Sequence, residues 1–391
     1  MPALRIVMLG SMGHVPFGGH VWKHLNWLRG FDLLGHDVWY VEDDDSWPFD
    51  PQKNALTKDC AYATRHIQDW LKAIGIAERW AFRMPGYEGA CWGLTEQQLK
   101  ALYRSCDLLI NLSGVTELRD EHLVAPFRVL LQTDPVTAEL RLANDDQRIR
   151  REFDNYDLIV TCGENYGNPG CRVPLNGLET KYRKTRQAVD IDLWPMVFNE
   201  QAMHFTTIGN WKQIGNDVEY FGESYRWSKH HEWLKFIDLP QHTAQPFEVA
   251  LKIDCEDDRH RLESSGWNVI CPLPMSLDVL GSYREFIRRS RGEWTVAKDQ
   301  NIRFRSGWFS DRDATYLASG KPVIAQDTGF GDHVPTGRGL FHFSTLDDIL
   351  AAIDAINSDY RNQCQAAREI AVEYFGARKV VEAFLRTIEK G

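Results

Sequence analysis

Two glycine-bearing loops supply most of the groups in this chain that can hold an anion. The first is Gly10-Ser-Met-Gly13-His-Val-Pro-Phe-Gly18-Gly19-His20, and the second lies between Arg305 and Gly331. In the second, Ser310 or Asp311 can cap a helix whose free N–H groups, dipole and Arg312 side chain favour a negative charge. Thr328, Gly329 and Phe330 follow in Asp327-Thr-Gly-Phe-Gly331, where glycine lets a backbone approach a ligand. For proton transfer the first choice is Asp134 in Gln-Thr-Asp-Pro, a carboxylate at the end of a strand, although it can equally cap the helix after Pro135. His14 and His20 are the alternatives. The acidic run Asp43–Asp45 reads as a solvated turn rather than a metal site.

These residues need a scaffold that brings strand ends together. Leu4–Leu9, Asp37–Glu42, Asp107–Leu112, Phe127–Thr133 and Asp157–Gly163 are apolar runs that end in polar or glycine residues. Helical spacing marks 21–34, through Val21, Leu25, Leu28, Phe31 and Leu34, and again 59–75 and 97–105. Strand, loop, helix, strand is the unit of a doubly wound parallel sheet, whose ligands bind at the carboxyl edge. A second series begins at Phe205 and includes 247–251, 268–272, 294–297 and Val323-Ile324-Ala325. Gly320 and Pro322 end the helix before that last strand. Helices over 283–290, 346–356, 361–374 and 380–388 complete the reading.

At 391 residues, two domains are expected. A hydrophobic content of 43% with 26% charged residues belongs to a globular chain. The formal net charge of -10 argues against a nucleic-acid partner. The eight cysteines are scattered without a C-x-x-C pair, so neither a zinc ribbon nor a redox motif is expected. Met1–Gly10 runs directly into a strand, and no apolar run approaches the ~20 residues of a transmembrane segment. A cytoplasmic location is expected.

The order helix, Ala318-Ser-Gly-Lys-Pro-Val-Ile-Ala325, then Asp327-Thr-Gly-Phe-Gly331, resembles the donor half of GT-B glycosyltransferases of the E-x7-E group. Gly18-Gly-His-Val-Trp-Lys-His-Leu25 through Gly35-His-Asp-Val38 resembles the first glycine loop and helix of the same fold. Together with Ser306-Gly-Trp-Phe-Ser-Asp-Arg312 these segments also resemble a bacterial branch of glycosyltransferase-like proteins. The resemblance implies an α/β fold of two Rossmann-like domains facing a cleft. The acceptor domain would span 1–190 and the donor domain 191–375, with a helix at 376–391 returning to the first. It implies transfer from a nucleoside-diphosphate sugar as co-substrate, with no metal and no other cofactor. Gly18, Gly19, Gly209, Asn210, Lys212, Lys298, Ser306, Ser310, Asp311, Arg312, Thr315, Thr328, Gly329 and Phe330 are the donor-site positions it points to. Arg303 and Arg305 are further cation candidates for the diphosphate. Thr315 and Gly307 stand where the resemblance expects glutamates, and Asp311 and Asp313 lie within an adjacent turn as substitutes. Two other readings follow from the same residues. One is a binding protein for sugar nucleotides or glycans without turnover, and the other is a nicotinamide-dependent oxidoreductase with Glu42 on the ribose.

Overall fold

The computed structural model describes residues 2–389. Its apolar runs become parallel strands covered on both faces, and Ile6, Val7, Met8 and Leu9 are completely buried. Eight strands form the first sheet, in the order 182–184, 158–161, 128–132, 108–112, 5–9, 37–43, 80–83, 91–92. Only the last pair is antiparallel. Six parallel strands form the second sheet, in the order 268–270, 247–252, 205–210, 292–295, 323–326, 340–343. In each sheet the first strand lies inside, with the next ones to one side and the later ones to the other. That reversal places a crevice beyond the carboxyl end of Arg5–Leu9 and another beyond Phe205–Asn210. This is the GT-B architecture: two Rossmann-like domains.

The helix after the first strand spans Gly18–Leu33, three residues earlier than the apolar period predicts, because Gly18 and Gly19 themselves form its first turn. Gly18 has a steric reason to be glycine. A Cβ there would run into the ring of Tyr283, which comes from the other half of the chain. The helix Asp311–Ala318 begins as its sequence indicates, with Ser310 Oγ accepting from Arg312 N–H at 3.2 Å. Gly320 follows at φ +69° and the strand Val323–Gln326 comes next. The helix read over 361–374 is Tyr360–Ile370, extended by a wider turn over Ala371–Phe375.

After that turn the chain returns to the first sheet. Val189 and Gly376 form a parallel bridge. The final helix, Ala377–Ile388, packs on Gly18–Leu33, with Phe384 edge-on to Trp27 and Phe31. No helix among the described residues is long and apolar enough to cross a membrane.

The acidic run after the second strand departs from the solvated turn expected of it. Asp43 is fully buried. Its carboxylate accepts from Arg83 Nε (2.9 Å) and Nη2 (2.7 Å), Arg119 Nη2 (2.6 Å), Tyr103 Oη (2.7 Å) and His122 Nε2 (2.9 Å). Burial alone would raise its pKa, but His122, Arg83 and Tyr103 outweigh it and hold the acid well below the usual carboxylate range. Asp43, Glu121 and His122 have donor atoms close enough to share a cation, but two guanidiniums already occupy that position.

Asp43→Ala should therefore cost about 3–5 kcal/mol of unfolding free energy, because five donors on four residues lose a common buried acceptor. The contribution is intact above the ordinary carboxylate range and disappears only as pH falls through the depressed folded-state value. Denaturant unfolding at neutral pH measures the first effect, and the pH dependence of stability followed from the carboxylate range downward measures the second. A variant as stable as the parent would show that the network contributes nothing.

Candidate functional site

The carboxyl ends of the two sheets face one another across a cleft of ≈ 920 Å³. From the first sheet it is lined by His14, Val15, Phe17, Gly19, His20, Lys23, Thr133 and Asp134. From the second come Gly209, Asn210, Lys252, Arg259, Tyr283, Asp311 and Arg312. Residues distant in sequence meet because every parallel strand delivers its following loop to the same edge.

On the first wall, His14 and Glu42 form a buried pair. Glu42 accepts from Gly13 N–H (2.5 Å), His14 N–H (3.0 Å), Tyr40 Oη (2.6 Å) and His14 Nδ1. With these donors converging on it, the carboxylate fixes the proton of His14 on Nδ1. The ring stacks on Phe82 at 4.8 Å and lines the cleft, and its Nε2 is buried without a hydrogen-bond partner. Burial opposes a charge on His14, but the hydrogen bond and charge of Glu42 outweigh it and raise the pKa. Glu42 is thus turned inward onto the glycine loop, which takes away the ribose contact on which the oxidoreductase reading relied.

His20 has a different character. It shares a 2.9 Å hydrogen bond with Ser11 Oγ. Burial, with Lys23 and His24 nearby, drives its pKa well below the ordinary value. His20 is a neutral imidazole.

The floor of the cleft is charged. Lys298 Nζ donates to Asp134 Oδ2 at 2.5 Å and sits 3.0 Å from the centre of the Trp227 ring. Asp134 makes no capping bond to the following helix, and the N–H of its N-cap residue Val136 donates to Glu139 at 2.9 Å. Lys23 Nζ donates to Ser113 Oγ at 3.0 Å, and Ser113 bonds Thr133 Oγ1 at 2.6 Å. Burial lowers the pKa of both Lys23 and Lys298, and it raises that of Asp311. All three would hold their charges more firmly beside a bound group of suitable sign.

Arg312 lines the cleft but is largely committed to the protein. Its guanidinium donates to Glu293, to Ile208 O (3.1 Å), to Thr295 Oγ1 (2.7 Å) and to Asp313 (3.3 Å). These bonds clamp the start of its helix against two strand ends, and its Nη1 lies beneath Gly209.

Several expected site residues lie elsewhere. Lys212 is half exposed, pairs with Asp258 at 2.6 Å and is not part of the lining. Ser306, Thr328 and Phe330 are buried. Ser306 Oγ donates to Asn301, and Thr328 Oγ1 to Trp308 O. Gly329 is pressed against Asn165 of the first half, so this glycine loop clasps protein rather than opening on the cleft. Ser310 is the helix cap, and Gly18 faces Tyr283. Thr315 Oγ1 donates to Arg312 O at 2.6 Å, leaving Asp311 as the carboxylate of that segment on the cleft. Arg303 pairs with Glu223 and Arg305 with Asp327.

Sequence reasoning missed Lys23, Thr133, Lys252, Arg259 and Tyr283. Thr133 was findable, since it ends the strand next to Asp134. Lys23 and Tyr283 lie within helices, where periodicity marks the apolar face and is silent about a polar residue facing a neighbouring domain.

No protein-family model and no curated protein matches the chain. Solved structures do share its fold. An alpha-glucosyltransferase in complex with UDP and a mismatched 13-mer DNA is 10% identical with a TM-score of 0.60, covering 100% of both chains. HepE from Anabaena, in complex with UDP and glucose, is 12% identical with a TM-score of 0.56, covering 99% of this chain and 100% of its own. Sucrose-phosphate synthase from Thermosynechococcus elongatus is 11% identical with a TM-score of 0.54, over 99% and 100%. Across the whole length, the chain is thus similar in fold to GT-B glycosyltransferases.

Proposed function

We propose that the chain is a glycosyltransferase that moves a sugar from a nucleoside-diphosphate sugar to an acceptor hydroxyl without a bound metal. One observation carries this reading: a single cleft joins an imidazole–carboxylate pair on one wall to a helix N-terminus and Lys23, with Lys298 behind Asp134. The bound UDP in similar folds supports a nucleotide-sugar donor. In this reading 1–190 is the acceptor half, 191–375 the donor half and 376–391 the returning helix. Of these residues, 1, 390 and 391 lie outside the described part.

His14 is the better base than Asp134. His14 lines the cleft with an Nε2 that makes no hydrogen bond, whereas one oxygen of Asp134 is held in an ion pair with Lys298. The acceptor O–H proton passes to His14 Nε2 as the oxygen attacks the anomeric carbon. The bond to the diphosphate breaks, and its electron pair leaves on a phosphate oxygen. Negative charge then grows beside Gly209–Asn210, the N–H groups at Asp311–Arg312, Lys23 and Lys298. Neither step requires a metal. A binding protein on the same fold would take up the nucleotide but transfer nothing, so turnover of a nucleotide-sugar panel separates the two.

Calorimetric titration tests the anion site. Lys23→Ala should weaken nucleoside-diphosphate binding by ~1.5–3 kcal/mol through loss of a charge-assisted contact. Lys212→Ala should leave the affinity unchanged, because its ammonium is engaged with Asp258. The reverse pattern would move the diphosphate to another part of the molecule.

Kinetics against pH test the base. His14→Ala should lower turnover by about 10²–10⁴-fold while donor affinity is kept. A base works when deprotonated, so activity should rise as pH climbs through the raised His14 value. Glu42→Gln removes the charge that raises it, and the acidic limb should shift to lower pH. A limb that stays in place would mean that another group carries the proton.

A further inference from the structure

The glycosyl-transfer reading leaves the acceptor unnamed, and the first-sheet wall of the cleft bears on its chemistry. Next to His14 the chain presents Val15 and Phe17, and opposite them a short hairpin presents Phe49 and Leu56. Phe49 N–H donates to His14 O at 3.1 Å, and the Phe17 and Phe49 rings meet at 5.5 Å. Val15 is 38% exposed and Leu56 64%. Across the cleft, Leu273 is 40% exposed. Isolated exposed leucines are common on proteins, but here they converge on one concave surface. On the first-sheet side of this rim the lining offers Asn54 as a polar partner, and the charged groups lie instead at the floor and on the second-sheet wall.

We infer that the acceptor is a small molecule with an apolar body, aryl or alkyl, bearing the hydroxyl that is glycosylated. This rests on the glycosyltransferase reading. Volume limits the size: ≈ 920 Å³ is near the top of the roughly 300–1,000 Å³ typical of small-ligand sites, and donor and acceptor must share it. A sugar acceptor would leave its hydroxyls facing Val15, Phe17, Phe49 and Leu56 without partners. An apolar body covers that wall and sets its own hydroxyl beside His14 Nε2.

The test has two independent parts. With a donor that the protein turns over, 2-naphthol and octyl glucoside should be better acceptors than glucose or maltose. Leu56→Ser and Val15→Ser should each raise KM for 2-naphthol about tenfold, whereas Ile214→Ser, at an exposed loop position outside the cleft lining, should not. Separately, calorimetry should detect 2-naphthol binding without donor, weakened by the same two substitutions. Free sugars serving as well as the apolar acceptors, or unchanged KM and binding in both variants, would overturn the inference while leaving glycosyl transfer intact. Binding of 2-naphthol at this wall with no turnover of any nucleotide sugar would instead overturn the transferase reading and, with it, an acceptor. Absence of 2-naphthol binding to the parent protein overturns the apolar wall directly.

Discussion

A single amide, that of Asn165, ties the carboxyl edge of the first sheet to that of the second. Its Nδ2 donates to Arg305 O and Gly329 O, each at 3.1 Å, its Oδ1 bonds His333 at 2.6 Å, and its N–H donates to Ser306 O at 3.0 Å. Gly307 at φ +76° and Gly329 at φ +87° leave room for it, since a Cβ at either position would strike Asn165. Trp308 Nε1 donates to Thr133 O at 2.9 Å, and Lys298 pairs with Asp134 alongside. The cleft has a fixed floor because these contacts hold two separate crevices in register. Loss of any one backbone acceptor there would leave a buried donor unpaired, which is costlier than the loss of an exposed bond.

Much of the scaffold was legible because parallel α/β folding is written in local patterns. Buried runs, helical periods and the Ser310 cap with Gly320 and Pro322 each have one structural solution, and the structure adopts it. The positions of His14, Asp134 and Asp311 on the cleft were legible for a related reason: strand ends share an edge. The glycines were not. A glycine that admits a phosphate and one that admits a neighbouring residue of the protein look the same in a sequence, and Gly18, Gly307 and Gly329 proved to be of the second kind. Charge was hidden in another way. Arg312 and Lys212 read as free cations, but their partners Glu293 and Asp258 are brought to them only by the fold. The same holds for Glu42, whose capture of His14 depends on two adjacent strands ending level.

The division of polarity within the cleft follows from which element supplies each part. Strand ends and a helix N-terminus bring backbone dipoles, so the floor accepts charge at little cost. The rim comes from an irregular loop and a small hairpin, which lack aligned dipoles and contribute side-chain surface instead. Such a partition keeps Lys23 and Lys298 away from the apolar rim while allowing water to be displaced from it. A low-dielectric rim also strengthens the His14–Glu42 interaction behind it.

The returning helix has a bearing on how the protein is made. Gly18–Leu33 belongs to the earliest structural unit of the chain, yet one of its faces is covered by Ala377–Ile388, with Trp27, Phe31 and Gly30 against Phe384, Val381 and Ala377. During synthesis the first sheet can assemble long before that cover exists. Its helix must wait, apolar face open, until Ala377–Ile388 has left the ribosome. At ~5–20 residues per second that exposure lasts on the order of tens of seconds. Completion of the first half thus depends on a segment made far later, and a chain that stops before Ala377 would carry an unsealed core.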